Sequence, residues 1–171
     1  MELTKNLSQT EQKYTELAMK IVAECDLELY DLEFVQGSST LRVFIRDPKT
    51  NTAEIDDCVK VDRAFSPYCE DLEWIPDNFI LEVSSPGVYR SLKRLDHFEA
   101  AIGSIISCSI HGKLTDDQLA GLNKKSAKGN KLRGILKEIS EEKIVMDIDG
   151  QMLSLSFEQI KRANLDPDIN G

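Results

Sequence analysis

The sequence lacks long apolar stretches, which excludes a membrane-spanning protein. Its apolar runs are only a few residues long, whereas a helix that crosses a bilayer needs roughly 20 consecutive apolar residues. The opening segment, MELTKNLSQTEQKY, holds acids and amides where a secretory signal has a basic start and an apolar core. We therefore expect a cytoplasmic protein without a membrane partner.

Metal-binding and disulfide patterns are also lacking. No two of the four cysteines, Cys25, Cys58, Cys69 and Cys108, have the C-x-x-C spacing, and both histidines lie far from any cysteine pair. The cysteines stand among apolar residues, which favours reduced thiols in the core over ligands or disulfides. We expect Cys25 and Cys108 to be the most accessible of the four, and we expect no metal or cofactor.

A basic excess, which most nucleic-acid-binding proteins carry, is missing as well. Residues 1–92 contain 9 Lys and Arg against 18 Asp and Glu, whereas residues 93–171 contain 12 of each class. An acidic first half repels bare RNA and attracts a strongly basic protein. Ribosomal proteins are the most abundant proteins of that kind, so they are candidate partners.

The first 91 residues predict the order helix, strand, strand, helix, strand. Ser8 and Glu11 have capping-box spacing, and apolar residues follow at intervals of three and four. The alternating runs ELYDLEFV and TLRVFIRD flank a short Gly/Ser turn and predict a hairpin, with Tyr30 and Leu32 on the same side of its first strand. The second helix is predicted over 56–69, with Pro67 kinking or ending it near Phe65.

The residues beyond Leu92 predict a different fold. LDHFEAAIG indicates a short helix, and the segments SIISCSIHG, KLRGILKEI, KIVMDID, QMLSLSF and KRANL indicate short strands, with a tight turn at Asp149-Gly150. Strands of this number and length can close into a small SH3-like or Sm-like barrel. The predicted fold is α+β: a two-layer α/β domain over 1–91, with both helices on one face of its sheet, and a barrel over 92–171 that ends in a polar tail.

A polar insertion over residues 114–133 interrupts the barrel strands and is too polar to be core. Its second half holds Lys124, Lys125 and Lys128, together with two further basic residues and no acid. It is either a solubilising hairpin tip or a basic finger that contacts phosphate.

The segment LEVSSPGVYRSL predicts an anion site at a domain junction. A buried strand ends before the turn Ser84-Ser85-Pro86-Gly87, in which Gly87 can supply a positive φ. The two hydroxyls, the turn's backbone N–H groups and Arg90 can hold a phosphate or carboxylate, and Lys93 and Arg94 add charge. The alternative is a plain turn in which Arg90 bridges the two domains through a carboxylate.

LEVSSPG, followed by Arg90 and Leu92, resembles the signature of the bacterial ribosome maturation factor RimP family. Further matches are IDDC at 55–58, HFEAAIG at 97–103, LRGIL at 132–136 and DIDGQMLSLSFEQIKRANL at 147–165. The resemblance spans nearly the whole chain in the family's order. Tyr89 and Ser91 depart from the usual Asp and Pro around the signature arginine, and the insertion is longer than the family's.

This resemblance implies an assembly factor that binds the free 30S subunit and promotes its maturation without catalysis. The implied partners are 16S rRNA and a basic small-subunit protein, the one numbered twelve. We further expect a monomer with no small-molecule substrate.

Two other classes of function compete with this interpretation. A hydrolase triad is disfavoured because Ser84 and Ser85 precede a Pro-Gly turn and no G-x-S-x-G elbow is present. A general RNA-binding or RNA-chaperone protein with an Sm-like barrel is the alternative. It is disfavoured because Phe98 and Phe157 are the only aromatic residues beyond residue 92, which leaves few stacking platforms for bases.

Overall fold

The chain divides between Gly87 and Val88 into two units, which we call the N-terminal unit and the C-terminal unit. The computed structural model describes residues 8–120, 122 and 130–167. Each unit has its own core of buried side chains. Because helices and mainly antiparallel strands are both present, the fold is α+β, as the sequence predicts.

The N-terminal unit has the predicted order of elements. These are α1 (Gln9–Glu24), β1 (Glu28–Val35), β2 (Thr40–Arg46), α2 (Ile55–Asp71) and β3 (Ile80–Ser84). Strand β2 is central, antiparallel to β1 and parallel to β3. Buried side chains of both helices pack with Leu41, Val43 and Ile45 from one face of β2. Both helices therefore cover the same face of the sheet.

Reciprocal hydrogen bonds begin the first helix, as the capping-box spacing predicts. The N–H of Ser8 donates to the Glu11 carboxylate at 2.9 Å, and the N–H of Glu11 donates to the Ser8 hydroxyl at 3.2 Å. At the start of α2, the N–H of Glu54 donates to the Asp57 carboxylate at 2.9 Å. These bonds satisfy N–H groups at helix starts that have no partner within the helix.

A β-bulge at Tyr30 changes the alternation predicted for β1. Leu29 and Asp31 pair with consecutive residues of β2, so Tyr30 has no partner in the register. Leu29 and Leu32 pack against the core, while Tyr30 lies outside that cluster with the Arg46 guanidinium 5.6 Å from its ring centre. The prediction that Tyr30 and Leu32 share a face is wrong, because one extra residue reverses the alternation.

Helix α2 extends beyond its proline. Of the two predicted effects, a kink or an early end near Phe65 or Ser66, the early end is wrong, since the helix continues through Pro67 to Asp71. Pro67 has no N–H to donate to the carbonyl of Arg63. Side chains that follow it, among them Tyr68, pack on the core of the unit. Tertiary packing therefore outweighs the missing hydrogen bond.

The C-terminal unit contains the predicted short helix and five strands. These elements are α3 (Leu95–Glu99), β4 (Ile105–Ile110), α4 (Asp116–Leu119), β5 (Lys131–Ile139), β6 (Lys143–Ile148), β7 (Gln151–Ser156) and β8 (Ile160–Leu165). The strands form one antiparallel sheet in the order β7-β6-β5-β4-β8. Asp149 and Gly150 have φ values of +54° and +84°, which confirms the tight turn between β6 and β7.

The segment 90–92 belongs to the C-terminal unit. The N–H of Leu92 donates to the carbonyl of Ala163 at 2.8 Å, and the N–H of Leu165 donates to the carbonyl of Arg90 at 2.9 Å. The segment therefore runs along β8, on the side that β4 leaves free. These contacts explain why the division of the chain falls four residues before the predicted boundary at 91/92.

All four cysteines are free thiols, but their exposure differs from the prediction. Cys25 is 5% exposed and Cys108 is fully buried, whereas Cys58 and Cys69 are half-buried. The expectation that Cys25 and Cys108 are the accessible pair is wrong, because both point into the cores. Burial raises the pKa of Cys108 to about 12.

Candidate functional site: two grooves of opposite charge

The predicted anion-binding residues fall on both units. Ser84 is the last residue of β3, and the loop that follows reaches Gly87, whose φ of +74° confirms the predicted positive angle. These residues belong to the N-terminal unit, whereas Arg90, Lys93 and Arg94 belong to the C-terminal unit.

Ser84 and Ser85 open on a groove of about 460 Å³ between the start of α2 and the end of β3. We call it the α2–β3 groove. It is lined by Ala53, Glu54, Ile55, Cys58, Val59, Asp62, Val83, Ser84 and Ser85. Helix α2 contributes side chains spaced i, i+3, i+4 and i+7, which therefore lie on one face. These are Ile55, Cys58, Val59 and Asp62.

The α2–β3 groove combines exposed apolar side chains with carboxylates. Ile55 is 82% exposed and Val59 is 39% exposed, although both are large and apolar. Glu54 and Asp62 are exposed acids in the lining. Such a surface attracts a cationic ligand that carries an apolar group. The same carboxylates oppose a phosphate at the adjacent hydroxyls.

Arg94 is engaged inside the C-terminal unit. Its guanidinium donates two hydrogen bonds of 3.0 Å to the Asp96 carboxylate, at the start of α3. The backbone N–H of Lys93 donates to Nδ1 of His97, a buried side chain, at 3.2 Å. The turn before α3 is therefore held by its own side chains, and a phosphate would compete with Asp96 for Arg94.

A second groove, of about 310 Å³, lies where residues 91–93 run along β8. It is lined by Ser91, Leu92, Lys93, Lys161, Arg162, Ala163 and Asn164. The Asn164 amide donates to the carbonyl of Tyr89 at 3.1 Å and to the hydroxyl of Ser91 at 3.2 Å. This side chain fixes the segment against the strand. Lys93 consequently lines the same groove as two basic residues of β8.

The basic residues of β8 were missing from the sequence-based site. Ser109 and Ile110 pair with Arg162 and Ile160, so Lys161 is the extra residue of a bulge. Ile160 and Ala163 are buried while Lys161 and Arg162 are both exposed. Strict alternation would turn one of two consecutive residues inward. The pair Lys-Arg was visible in KRANL, but its exposure depends on the partner strand.

The insertion after β4 is anchored in its first part. Leu114 is only 9% exposed and belongs to the core, so the prediction that the insertion is too polar for core is wrong at this residue. The Gln118 amide donates to the carbonyl of Ser154 at 2.8 Å and shares hydrogen bonds with Gln159. The predicted contacts Lys124, Lys125 and Lys128 lie outside the described residues.

The described ranges hold neither a metal-ion cluster nor a helix that could span a bilayer. No cluster of three or more His, Cys, Asp and Glu side chains within 8–120, 122 and 130–167 has the geometry to hold a metal ion. In the same part of the chain, no helix combines the length and the apolar character that spanning a bilayer requires.

Comparison with protein families assigns the N-terminal unit. Residues 17–89 match the model of the RimP N-terminal domain. The matched range runs from within α1 through α2 and β3 to the loop after Gly87, so it contains the whole α2–β3 groove. It also includes SSPG, the part of the signature on which the resemblance was based. Residues 17–89 are thus a RimP N-terminal domain, and this match supports the resemblance of the chain to the RimP family of ribosome maturation factors.

Proposed function

We propose that this protein binds the free 30S subunit in the cytoplasm and promotes its assembly by binding alone, without catalysis. The proposed partners are a basic small-subunit protein, which the family resemblance suggests is the one numbered twelve, and the adjacent 16S rRNA. We propose that the factor acts as a monomer. The family match supports the general role in ribosome maturation.

The α2–β3 groove is the observation that carries the choice of a basic protein partner. Its lining pairs the exposed Ile55 and Val59 with the carboxylates of Glu54 and Asp62. A lysine- or arginine-rich segment with one apolar side chain satisfies both features at once. A ribosomal protein is rich in such cationic side chains, because affinity for RNA comes largely from neutralising phosphates.

The order of strands in the C-terminal unit supports the predicted barrel. The last strand, β8, returns to pair with the first, β4, while β5, β6 and β7 follow on the other side. We propose that the sheet curls into an SH3-like or Sm-like barrel around the cluster that contains Leu136 and Met146. Closure would protect the edges that an open sheet leaves unpaired.

The proposed mechanism is a shift of population. A partly assembled subunit samples several placements of its proteins. A factor that binds one placement more tightly increases the fraction of subunits in that placement. The groove would hold the basic protein while the C-terminal unit contacts the adjacent RNA. Arg90 and the loop 84–87 remain proposed contacts. No bond in the subunit is made or broken by the factor in this scheme.

Co-sedimentation tests the proposal directly. The full chain is mixed with purified free small subunits, with large subunits and with intact ribosomes, and the pelleted protein is quantified. We expect it to pellet with small subunits and to be largely absent from the other two pellets. Equal binding to intact ribosomes, or no binding to free small subunits, would contradict the proposal.

A salt titration separates this function from general RNA binding. The affinity of a general RNA binder falls steeply with salt, by roughly 0.7 in log K per log salt for each phosphate contacted on a single strand. A factor that also docks on a protein should lose affinity more slowly. It should also bind assembled subunits more tightly than naked 16S rRNA. The opposite order of affinities would favour the RNA-chaperone alternative.

A further inference from the structure

The outward face of β5, β4 and β8 carries two rows of polar side chains. Ser109 on β4 pairs with Lys131 on β5 and with Arg162 on β8. Two residues earlier on β4, Ser107 pairs with a second arginine and with Asn164 in the same way. Cross-strand partners lie about 5 Å apart at Cβ and share a face. Ile106 and Cys108 point to the core, whereas the apolar pair Ile105 and Ile135 lies one row further along the outward face.

Four cations are concentrated on this face and at its β8 edge. They are Lys93, Lys131, Lys161 and Arg162, which we call the basic β8 surface. Arg133 lies in the neighbouring row but is neutralised by Asp166, whose carboxylate is 3.0 Å from its Nε. Arg133 is therefore not part of the basic β8 surface. Within the described ranges, neither Lys161 nor Arg162 has an ion-pair partner.

We propose that the basic β8 surface binds the sugar–phosphate backbone of RNA. This inference rests on the proposed function and assigns the RNA contact within it to named residues. Phosphate oxygens accept charge-assisted hydrogen bonds from Lys and Arg. The hydroxyl of Ser109, which stands between Lys131 and Arg162, and that of Ser107 in the next row can donate to the same oxygens.

The features of the surface favour RNA backbone over an acidic protein. The rows of Ser107 and Ser109 are polar, and in the described strands the apolar pair Ile105 and Ile135 forms a separate row that holds none of the four cations. A protein interface usually has an apolar or aromatic centre. Among the described residues none of the four cations has an aromatic side chain in its own row, and the exposed Tyr89 belongs to the segment beside Asn164. The surface is therefore suited to phosphate and sugar and does not read sequence.

The bulge at Lys161 gives the surface its charge density. It turns two consecutive basic residues outward in a strand that must keep Ile160 and Ala163 in the core. Asn164 and Ser91 hold the preceding segment beside them, which brings Lys93 to the same groove. The arrangement is fixed by backbone pairing and does not depend on a ligand.

The test uses neutral substitutions in the full-length protein. Lys161→Gln and the double variant Lys161→Gln/Arg162→Gln are compared with Lys143→Gln, an exposed lysine on β6, two strands away from β4. Binding to free small subunits is measured over a range of salt concentrations. Photo-crosslinking from position 162 then identifies the contacted molecule. Thermal unfolding verifies that each variant is folded.

We expect the double variant to lose roughly tenfold in affinity and the salt slope to fall by roughly one for each cation removed. Lys143→Gln should bind like the wild type, and the crosslinks should reach 16S rRNA. Unchanged affinity and slope in the double variant overturn the inference and leave the proposed function intact. Crosslinks to a ribosomal protein also overturn it. If the wild-type protein itself does not bind free small subunits, the proposed function fails first.

Discussion

Gly134 on β5 lies directly against the backbone carbonyl of Asp147 on β6. A Cβ at position 134 would overlap this carbonyl oxygen and would come within 2.8 Å of Cγ1 of Ile148. The carbonyl belongs to a paired strand and Ile148 is buried, so neither can move freely. Close approach of two strands therefore requires glycine at this position.

Gly134→Ala should lower the free energy of unfolding by about 2–3 kcal/mol, because the added methyl group must displace backbone. Calorimetry of the full chain measures the change as a lower transition temperature of the C-terminal unit. The N-terminal unit should unfold as in the wild type.

Gly37→Ala is the matched control. No atom lies within 4 Å of a Cβ at Gly37, and its φ is not positive. Its effect should stay within about 0.5 kcal/mol. If both variants lower the free energy of unfolding equally, the close contact between Gly134 and Asp147 is not the reason why glycine is needed at position 134.

Replacement of Pro67 should raise the free energy of unfolding, whereas replacement of Gly134 lowers it. Pro67→Ala restores an N–H that can donate to the carbonyl of Arg63 inside α2, so the N-terminal unit should become about 1–2 kcal/mol more stable. Trp74 reports on this change, because its ring packs 5.0 Å from that of Tyr14 in the core of the same unit. Urea unfolding followed by tryptophan fluorescence measures it.

Pro86→Ala is the control for this variant, since Pro86 lies outside any helix. It should give no gain, because no helical hydrogen bond is restored. A loss of stability in Pro67→Ala would mean that the helix needs the restricted backbone of proline.

The elements could be predicted because their signals are local. Capping at Ser8 depends on a residue three positions away, and the turn at Asp149-Gly150 depends on two adjacent residues. Each of these features was found from the sequence alone.

The bulges at Tyr30 and Lys161 could not be predicted, because a bulge is a relation between two strands. The sequence of one strand does not reveal which residue the partner skips. The first bulge shifts the register at Tyr30, and the second turns the two consecutive cations of β8 outward. The same limitation affects the α2–β3 groove, since Ile55 reads as an ordinary core residue until the end of β3 is placed beside it.

The buried thiol of Cys108 should make the folded protein less stable at high pH. Burial raises the pKa of its thiol from 9.0 to about 12, so the folded state keeps the proton that the unfolded state releases. The stabilisation is complete below pH 9 and is lost as the pH rises from 9 towards 12. At pH 11 the loss from this one thiol is about 2–3 kcal/mol.

Cys108→Ala isolates this contribution. Tyrosine and lysine side chains titrate in the same pH range and affect both proteins. The measured quantity is therefore the difference in unfolding free energy between variant and wild type, determined at pH 8 and again at pH 11. The variant should be less stable at pH 8, because it leaves a small cavity. The gap should narrow or reverse at pH 11. A gap that does not change with pH would show that the thiol does not ionise on unfolding.

Polar substitutions in the α2–β3 groove should weaken binding to small subunits without affecting folding. Ile55→Ser/Val59→Ser removes apolar side chains that are 82% and 39% exposed, so the free energy of unfolding should change little. Affinity for free small subunits should fall about tenfold, because the partner's apolar group loses its contact. Ile80→Ser is the matched control, since Ile80 is 51% exposed on β3 and is not part of the groove lining. A second measurement uses the half-buried thiol of Cys58, which lies in the groove. A bound subunit should shield this thiol and slow its alkylation in the wild-type protein. If alkylation proceeds at the same rate in the complex and the double variant binds normally, the basic protein docks elsewhere on the chain.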